Sequence, residues 1–271
     1  MVRLMTKPSG TKRAAVIFAI NYTNTSAALK GCINDGNRTK DHVSHYEHVE
    51  MLSDNTATKP TRANMLAKME NLARMSTSEG YTNFVIHYSG HGVSVADRNG
   101  DEGDHKDEAW YSIDKQLILD DEIRAILNKF SPWSTVMLIV DACHSGTGCD
   151  LPLKYLCSET MVERENDTAP ICNVLMFSGC MDDQTSADLT VTRATGSQIE
   201  RTSAGAMTDS LYTTLDDPNL ETQTIFQLRD KMHNYMRTKN LDQRPQISSS
   251  RPLAADTKLS DYFDYRADFL V

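Results

Sequence analysis

Two short stretches gather the residue types that acyl transfer requires. His87-Tyr88-Ser89-Gly90-His91-Gly92 follows the apolar run Phe84-Val85-Ile86, and Asp141-Ala142-Cys143-His144-Ser145-Gly146 follows Met137-Leu138-Ile139-Val140. A free thiol titrates near about pH 8.5, so at neutral pH it needs an imidazole to take its proton or to protonate a leaving amine. His91 and Cys143 are the candidate pair. Gly90 and Gly92 permit a tight turn around His91 and a close approach of substrate. His87 lies inside the expected strand and reads as a core histidine, and His144 points to the opposite side if strand geometry persists beyond Cys143. The backbone N–H groups of Cys143 and Gly92 are candidate oxyanion donors. A lone cysteine at a strand end is ordinarily a small buried hydrophobe; the histidine motif beside it favours the nucleophile. The period of two places Asp141 on the side of Cys143 and Ser89 on the side of His91, which brings a carboxylate to the same crevice. Taken alone, such an aspartate is ordinarily a turn former or helix cap.

The elements that must position these residues alternate along the chain. Ala14–Ile20, Asn83–Tyr88, Thr135–Val140 and Asn173–Phe177 are short apolar runs, as expected for strands buried on both faces of a parallel sheet. Helices are expected from a Thr25 or Ser26 cap through Leu29 and Ile33 towards Thr39, after Pro60 through Met65, Met69 and Leu72, and near Asp121–Lys129, Ala204–Leu215 and Thr224–Thr238. The alternation predicts a doubly wound α/β sheet, whose ligand crevice lies beyond the carboxyl ends of the strands. Ser94–Asp107 and Leu151–Ala169 are polar and irregular and read as loops. Residues 1–12 read as a flexible leader and 13–271 as one domain. No run of about 18 apolar residues or signal-peptide layout is present, so a soluble, cytoplasmic protein without a membrane partner is expected. The net charge of −9, with scattered lysines and arginines, argues against a nucleic-acid partner. The six cysteines (Cys32, Cys143, Cys149, Cys157, Cys172 and Cys180) show no metal-ligand spacing and are expected to be reduced.

Several further segments, in order, carry a resemblance. They are Leu29-Lys30-Gly31-Cys32-Ile33-Asn34-Asp35, Ser178 through Asp188, Gly205-Ala206-Met207-Thr208, and Pro245-Gln246-Ile247-Ser248-Ser249-Ser250. With the histidine and cysteine motifs, they resemble type I metacaspases over nearly the whole chain from Arg13. The resemblance implies a caspase-like (caspase-haemoglobinase) three-layer sandwich, a mostly parallel central sheet with helices on both faces. It divides the chain into a larger portion of about 13–155, a linker of about 156–170 and a smaller portion of about 171–271. It implies that His91 and Cys143 are the dyad of a cysteine endopeptidase, and that Asp35 and Asp141, with Cys32 and Ser89 alongside, form an acidic S1 pocket. Protein or peptide substrates with arginine or lysine at the cleavage position follow, since desolvated carboxylates match a cationic side chain. True caspases carry Gln-Ala-Cys where this chain has Asp141-Ala142-Cys143.

The acidic stretch Asp97–Glu108 superficially follows an EF-hand loop, but Glu102 stands where that loop requires glycine. The resemblance implies a different calcium site, Asp107, Asp120, Asp121 and Asp150, whose oxygens suit a hard cation acting as a conformational activator. Without the resemblance these residues read as a solvated loop and a helix cap. Self-cleavage at basic residues in loops is expected at Lys154 or Arg164, then at Arg193 or Arg201. A monomer is expected. The rival readings are a related Cys/His protease of different specificity and a non-catalytic interaction module, since a fold does not guarantee activity.

Overall fold

The structure is a computed structural model that describes residues 10–96, 106–142, 149, 151–155, 162–164, 169–179, 188–195, 198–217, 224–241 and 243–265. Its frame is an eight-stranded sheet in the order β2-β1-β3-β7-β10-β13-β8-β9. The strands β1 (Arg13–Ala19), β2 (His48–Ser53), β3 (Asn83–Ser89), β7 (Thr135–Asp141) and β10 (Asn173–Ser178) run parallel. The strands β13 (Gln246–Ser249), β8 (Leu153–Tyr155) and β9 (Val162–Arg164) complete the sheet with antiparallel pairings. The mostly parallel sheet expected from the apolar runs is present.

Both faces of β1, β3, β7 and β10 are covered, which is why their sequences are largely apolar. On one face, Val16, Phe18, Phe84, Ile86, Leu138 and Met176 share a core with Met65, Met69 and Leu72 of α2 (Arg62–Ser78) and with Ile123 and Leu127 of α3 (Asp120–Leu127). On the other, Ile17, Val85, Met137, Ile139 and Phe177 pack with Met207 and Leu211 of α4 (Ala206–Leu215) and with Leu228 and Met232 of α5 (Ile225–Thr238). The remaining helix, α1 (Cys32–His42), connects β1 to β2. No helix among the described residues is long and apolar enough to cross a membrane.

Three expectations are corrected. Helix α1 begins at Cys32, not near Thr25, because Tyr22 and Asn24 take left-handed backbone angles (φ 50° and 64°) and the Thr25 hydroxyl turns back to the Tyr22 carbonyl at 2.7 Å. The stretch read as a loop from Ser94 to Asp107 contributes to strands: β4 (Gly92–Ala96) and β5 (Lys106–Tyr111) form a meander with β6 (Leu117–Leu119). The stretch from Leu151 to Ala169 supplies β8 and β9, and a hairpin of β11 (Asp188–Thr195) and β12 (Gln198–Gly205) precedes α4.

His87 behaves as the core residue expected. It is fully buried in β3 between Ile17 and Ile139, neither ring nitrogen has a hydrogen-bond partner, and burial pushes its pKa down to about 3. The unfolded chain therefore binds a proton that the folded imidazole refuses, so this residue costs stability as the pH falls from 6.5 towards about 3. His87→Leu is expected to flatten that part of the stability profile and to raise stability at pH 8 by about 1–2 kcal/mol. Urea unfolding across the range measures both, and identical slopes in the two proteins would assign the acid loss to other groups.

Candidate active site

The strand ends converge on a pair of carboxylates. Ser89, the last residue of β3, is in register with Asp141, the last residue of β7. Its hydroxyl donates to Asp35 Oδ2 at 2.8 Å, reaching across to the first turn of α1. From the opposite side, the Gly205 N–H lies 3.0 Å from both oxygens of Asp35, and the Thr208 N–H donates to Asp141 Oδ2 at 2.8 Å. Gly205 is the cap of α4 and Thr208 lies in its first turn, so the positive end of the helix dipole faces both acids. Each acid is only 2% exposed. Burial first, and then the charge of Asp141, pushes the Asp35 carboxyl well above its ordinary 3.8, against the opposing bonds from Ser89 and Gly205. Asp209 adds a further negative influence. A site of this kind resists a second negative charge and favours an incoming cation.

Gly205 is required by space and not by its backbone angle, since its φ of −70° suits any residue. A Cβ there would overlap Asp141 Oδ2 and come within 2.8 Å of Asp35 Oδ2. Helix α4 is in turn tied to α1. Arg38 donates to Asp209 Oδ1 at 2.7 Å and to Asp216 Oδ2 at 3.0 Å, and the Tyr235 hydroxyl donates to Asp209 Oδ2 at 2.5 Å. The Tyr212 ring stacks on His42 with centroids 4.3 Å apart and lies 5.6 Å from the Arg38 guanidinium. This lateral strut joins the helix that carries Asp35 to the helix whose amide holds Asp141. Sequence reasoning quoted Gly205 and Thr208 without a role for them, and missed Arg38 and Asp209.

His91 stands beside this pocket, in the turn between β3 and β4. The Gly90 N–H donates to the Asp141 carbonyl at 3.3 Å, tying that turn to the end of β7. His91 Nε2 lies 2.7 Å from the Ala27 carbonyl, which can only accept, so Nε2 carries the proton and Nδ1 is left for exchange with a nucleophile. Its ring lies over Tyr22, with centroids 4.8 Å apart. Cys32, one helical turn before Asp35, is buried. Gly92 opens β4 opposite Trp110. Cys143 lies outside the described residues; Ala142 before it is fully buried at the end of β7.

The other candidates are dispersed over the fold. Asp107 lies in β5, next to Glu108, whose N–H donates to Asp120 Oδ2 at 2.7 Å. Asp120 opens α3, is 2% exposed, and also accepts the Asp121 N–H at 2.9 Å. These bonds bring two of the three acidic segments together; Asp150 lies outside the described residues. Among the described residues, no group of three or more His, Cys, Asp or Glu is gathered as a metal cluster. Lys154, expected in an irregular linker, is the middle residue of β8, in register with Ser248 and 4% exposed. A buried strand residue is not presented to a protease in the folded chain. Arg164 ends β9, and Arg193 and Arg201 lie in β11 and β12. Cys32, Cys149 and Cys172 are buried and outside any disulfide.

The contact at Gly205 is testable through a double-mutant cycle. Gly205→Ala is expected to destabilise the fold by about 1–3 kcal/mol by overpacking, and to cost clearly less in an Asp141→Ala background, where the overlapped oxygen is gone. Urea unfolding of the four proteins measures the coupling, and additive effects would show that Gly205 and Asp141 do not constrain one another.

Comparison with known proteins supplies the family. The model of the peptidase C14 family, the caspase domain, matches residues 12–255. Metacaspase-1A of Aspergillus oryzae is 30% identical over 304 residues, which take in 90% of this chain and 69% of that protein. Metacaspase-1 of Cryptococcus neoformans is 31% identical over 89% of this chain and 63% of its own length. Metacaspase-2 of Arabidopsis thaliana is 39% identical over 66% of this chain and 47% of its own length. The chain thus spans between 47% and 69% of these relatives. Among solved structures, a protein of Geobacter sulfurreducens matches with a TM-score of 0.64 at 21% identity, covering 94% of this chain and 100% of that one. The Drosophila initiator caspase Dronc matches with a TM-score of 0.52 at 12% identity, over 96% and 86% of the two chains. The solved structures share the caspase fold, and with the family match over most of its length this chain belongs to the metacaspases, within the caspase-domain family of cysteine peptidases.

Proposed function

We propose that this chain is a calcium-activated cysteine endopeptidase that cuts after arginine or lysine. The observation that carries the specificity is the buried Asp35–Asp141 pair: the neighbouring charges that act most on Asp35 are Asp141 and then Asp209, both negative. A cationic side chain entering between the strand ends relieves that repulsion, and an acidic one adds to it. In the reaction, the Cys143 thiolate attacks the carbonyl carbon, and the leaving amine takes its proton from His91. Water, deprotonated by the same imidazole, then releases the acyl group from sulfur. The Ala27 carbonyl holds the imidazole in the tautomer this needs.

Calcium activation is supported by the chemistry of the donors. Asp107, Asp120, Asp121 and Asp150 would hold the ion through hard carboxylate oxygens, and the ion would draw the segment after Cys143 towards the α3 end of the fold. The Glu108 and Asp121 N–H groups hold the two oxygens of Asp120 at 2.7 and 2.9 Å, which fixes this carboxylate at the start of α3 beside β5. Magnesium keeps its waters and demands octahedral geometry, so it substitutes poorly.

A panel of peptides ending in Arg, Lys, Asp or Asn, with and without calcium, tests reaction, specificity and activator together. Asp35→Asn and Asp141→Asn are each expected to lower kcat/KM for the Arg and Lys peptides roughly 100-fold or more, as expected when one member of a buried charge pair is lost. Stability moves the other way. The Asp35 pKa is raised on folding, so the stability it contributes below pH 3.8 is lost as the pH rises through its folded value. Asp35→Asn is therefore expected to match or exceed the parent Tm at pH 7.5; a clearly lower Tm, or unchanged turnover of Arg and Lys peptides, would defeat the pocket assignment.

The calcium arm has its own outcome. Chelator is expected to abolish turnover, and Asp120→Ala to remove the calcium response. Full activity in chelator, or an unaltered response in that variant, would return Asp120 to the role of a helix-end residue. Failure of a thiol probe to label the calcium-loaded wild type at Cys143 would favour a non-catalytic binding module.

A further inference from the structure

The loop between β1 and α1 takes a shape that its own sequence does not favour. Tyr22 has a φ of 50°, in the left-handed region that large side chains avoid, and it is only 3% exposed. The amides on either side hold it there. Asp54, just after β2, accepts the Asn21 N–H at 2.7 Å through one oxygen, and the Thr23 N–H at 2.8 Å and Thr23 hydroxyl at 3.1 Å through the other. One carboxylate thus clamps both neighbours of the strained residue.

The strain delivers the Tyr22 side chain to His91. Its hydroxyl accepts the His91 N–H at 3.0 Å and donates to the Tyr111 carbonyl at 2.5 Å. The Tyr88 hydroxyl does the converse, donating to the His91 carbonyl at 2.5 Å and accepting the Tyr111 N–H at 3.1 Å. The two oxygens are 3.2 Å apart, so both polar groups of the His91 backbone end on a phenol of this pair. Gly90 makes room for them, since a Cβ there would lie 2.7 Å from one hydroxyl and 2.9 Å from the other. The Tyr22 ring backs the imidazole, and the same loop presents the Ala27 carbonyl to Nε2. The Leu29 N–H, bonded to the Asn21 carbonyl at 2.8 Å, closes that loop.

We propose that Tyr22, held in its left-handed conformation by Asp54, is the positioning residue that sets His91 for proton transfer. The inference rests on His91 as the acid and base of the reaction. An imidazole that must serve first the leaving amine and then water has little tolerance for misplacement, and a shift of about 1 Å can cost roughly 100-fold in rate. The N–H of His91, its ring face and its Nε2 proton are all met from one loop, with the Tyr88 hydroxyl of β3 holding the carbonyl, whereas Gly205 and Thr208 of α4 hold Asp35 and Asp141. Tyr22 should therefore govern turnover and leave substrate binding alone.

The test uses the full chain with calcium and an Arg-ending peptide. Tyr22→Phe keeps the ring and removes the hydroxyl, and is expected to lower kcat roughly 10- to 100-fold with KM and the preference for Arg over Asp unchanged. Tyr22→Leu, which also removes the ring, is expected to lose more, and Asp54→Ala, remote from the imidazole, to lower kcat in the same sense. Circular dichroism and Tm identify any variant that does not fold, and Asp54→Ala then carries the test alone. A kcat within twofold of wild type in Tyr22→Phe, or a loss confined to KM, overturns the proposal. His91→Ala serves as the control: if it retains full activity, the dyad reading itself fails, whereas an inactive His91→Ala beside an unaffected Tyr22→Phe defeats only the role of Tyr22.

Discussion

Two carboxylates of the same sign lie buried against one another at the carboxyl ends of the parallel strands, and much of the structure serves to hold them there. Asp35 comes from α1, Asp141 from β7, and the N–H groups that offset their repulsion come from Gly205 and Thr208 at the start of α4. Such an arrangement is costly in a low-dielectric interior, and it persists because the surrounding fold over-determines it. The strut from Arg38 to Asp209 and Asp216 fixes the two helices laterally, and the paired ends of β3 and β7 fix Ser89 against Asp141. The acids belong to the first part of the chain and the amides to the last, so the pocket exists only when both parts are docked.

The two halves of the site are built on different principles. The pocket is electrostatic: its side chains keep their places through charge, helix dipole and close packing around a glycine. The His91 side is geometric. It is set by neutral phenols and backbone carbonyls, and the carboxylate of Asp54 is spent on shaping a loop. This separation orients the His91 imidazole without adding another charge beside the Asp35–Asp141 pair.

The parts that were legible in the sequence are those whose side chains carry their own signature. Strands β1, β3, β7 and β10 are apolar on both faces, and each was placed within about a residue from its composition. Strand β2 was missed because His48-Val49-Glu50-Met51 is a half-exposed edge with mixed polarity. Strands β8 and β9 are three residues each, too short for a periodic pattern to register. The start of α1 was misjudged because Thr25 looks like a cap, while Asp54, distant in sequence, holds the preceding residues in a loop. That misjudgement concealed the Ala27 carbonyl and Tyr22. Asp35, Ser89 and Asp141 were recognisable as residue types in a familiar order; the amides of Gly205 and Thr208 were not, because a backbone N–H has no sequence letter of its own.

The pairing of β8 with β13 has a consequence for the connectivity of the molecule. Strand β8 precedes residues 156–161 and β13 follows them, as β7 and β10 also do, and both pairs are hydrogen-bonded neighbours in one sheet. A chain severed between Tyr155 and Val162 would therefore leave two fragments sharing a continuous sheet, with each acid of the pocket on one fragment and its amide donor on the other. Neither fragment could leave without exposing the core face that the other covers. Covalent integrity and particle integrity are thus separate properties here: a nicked molecule would keep the hydrodynamic size of the intact one and come apart only under denaturing conditions.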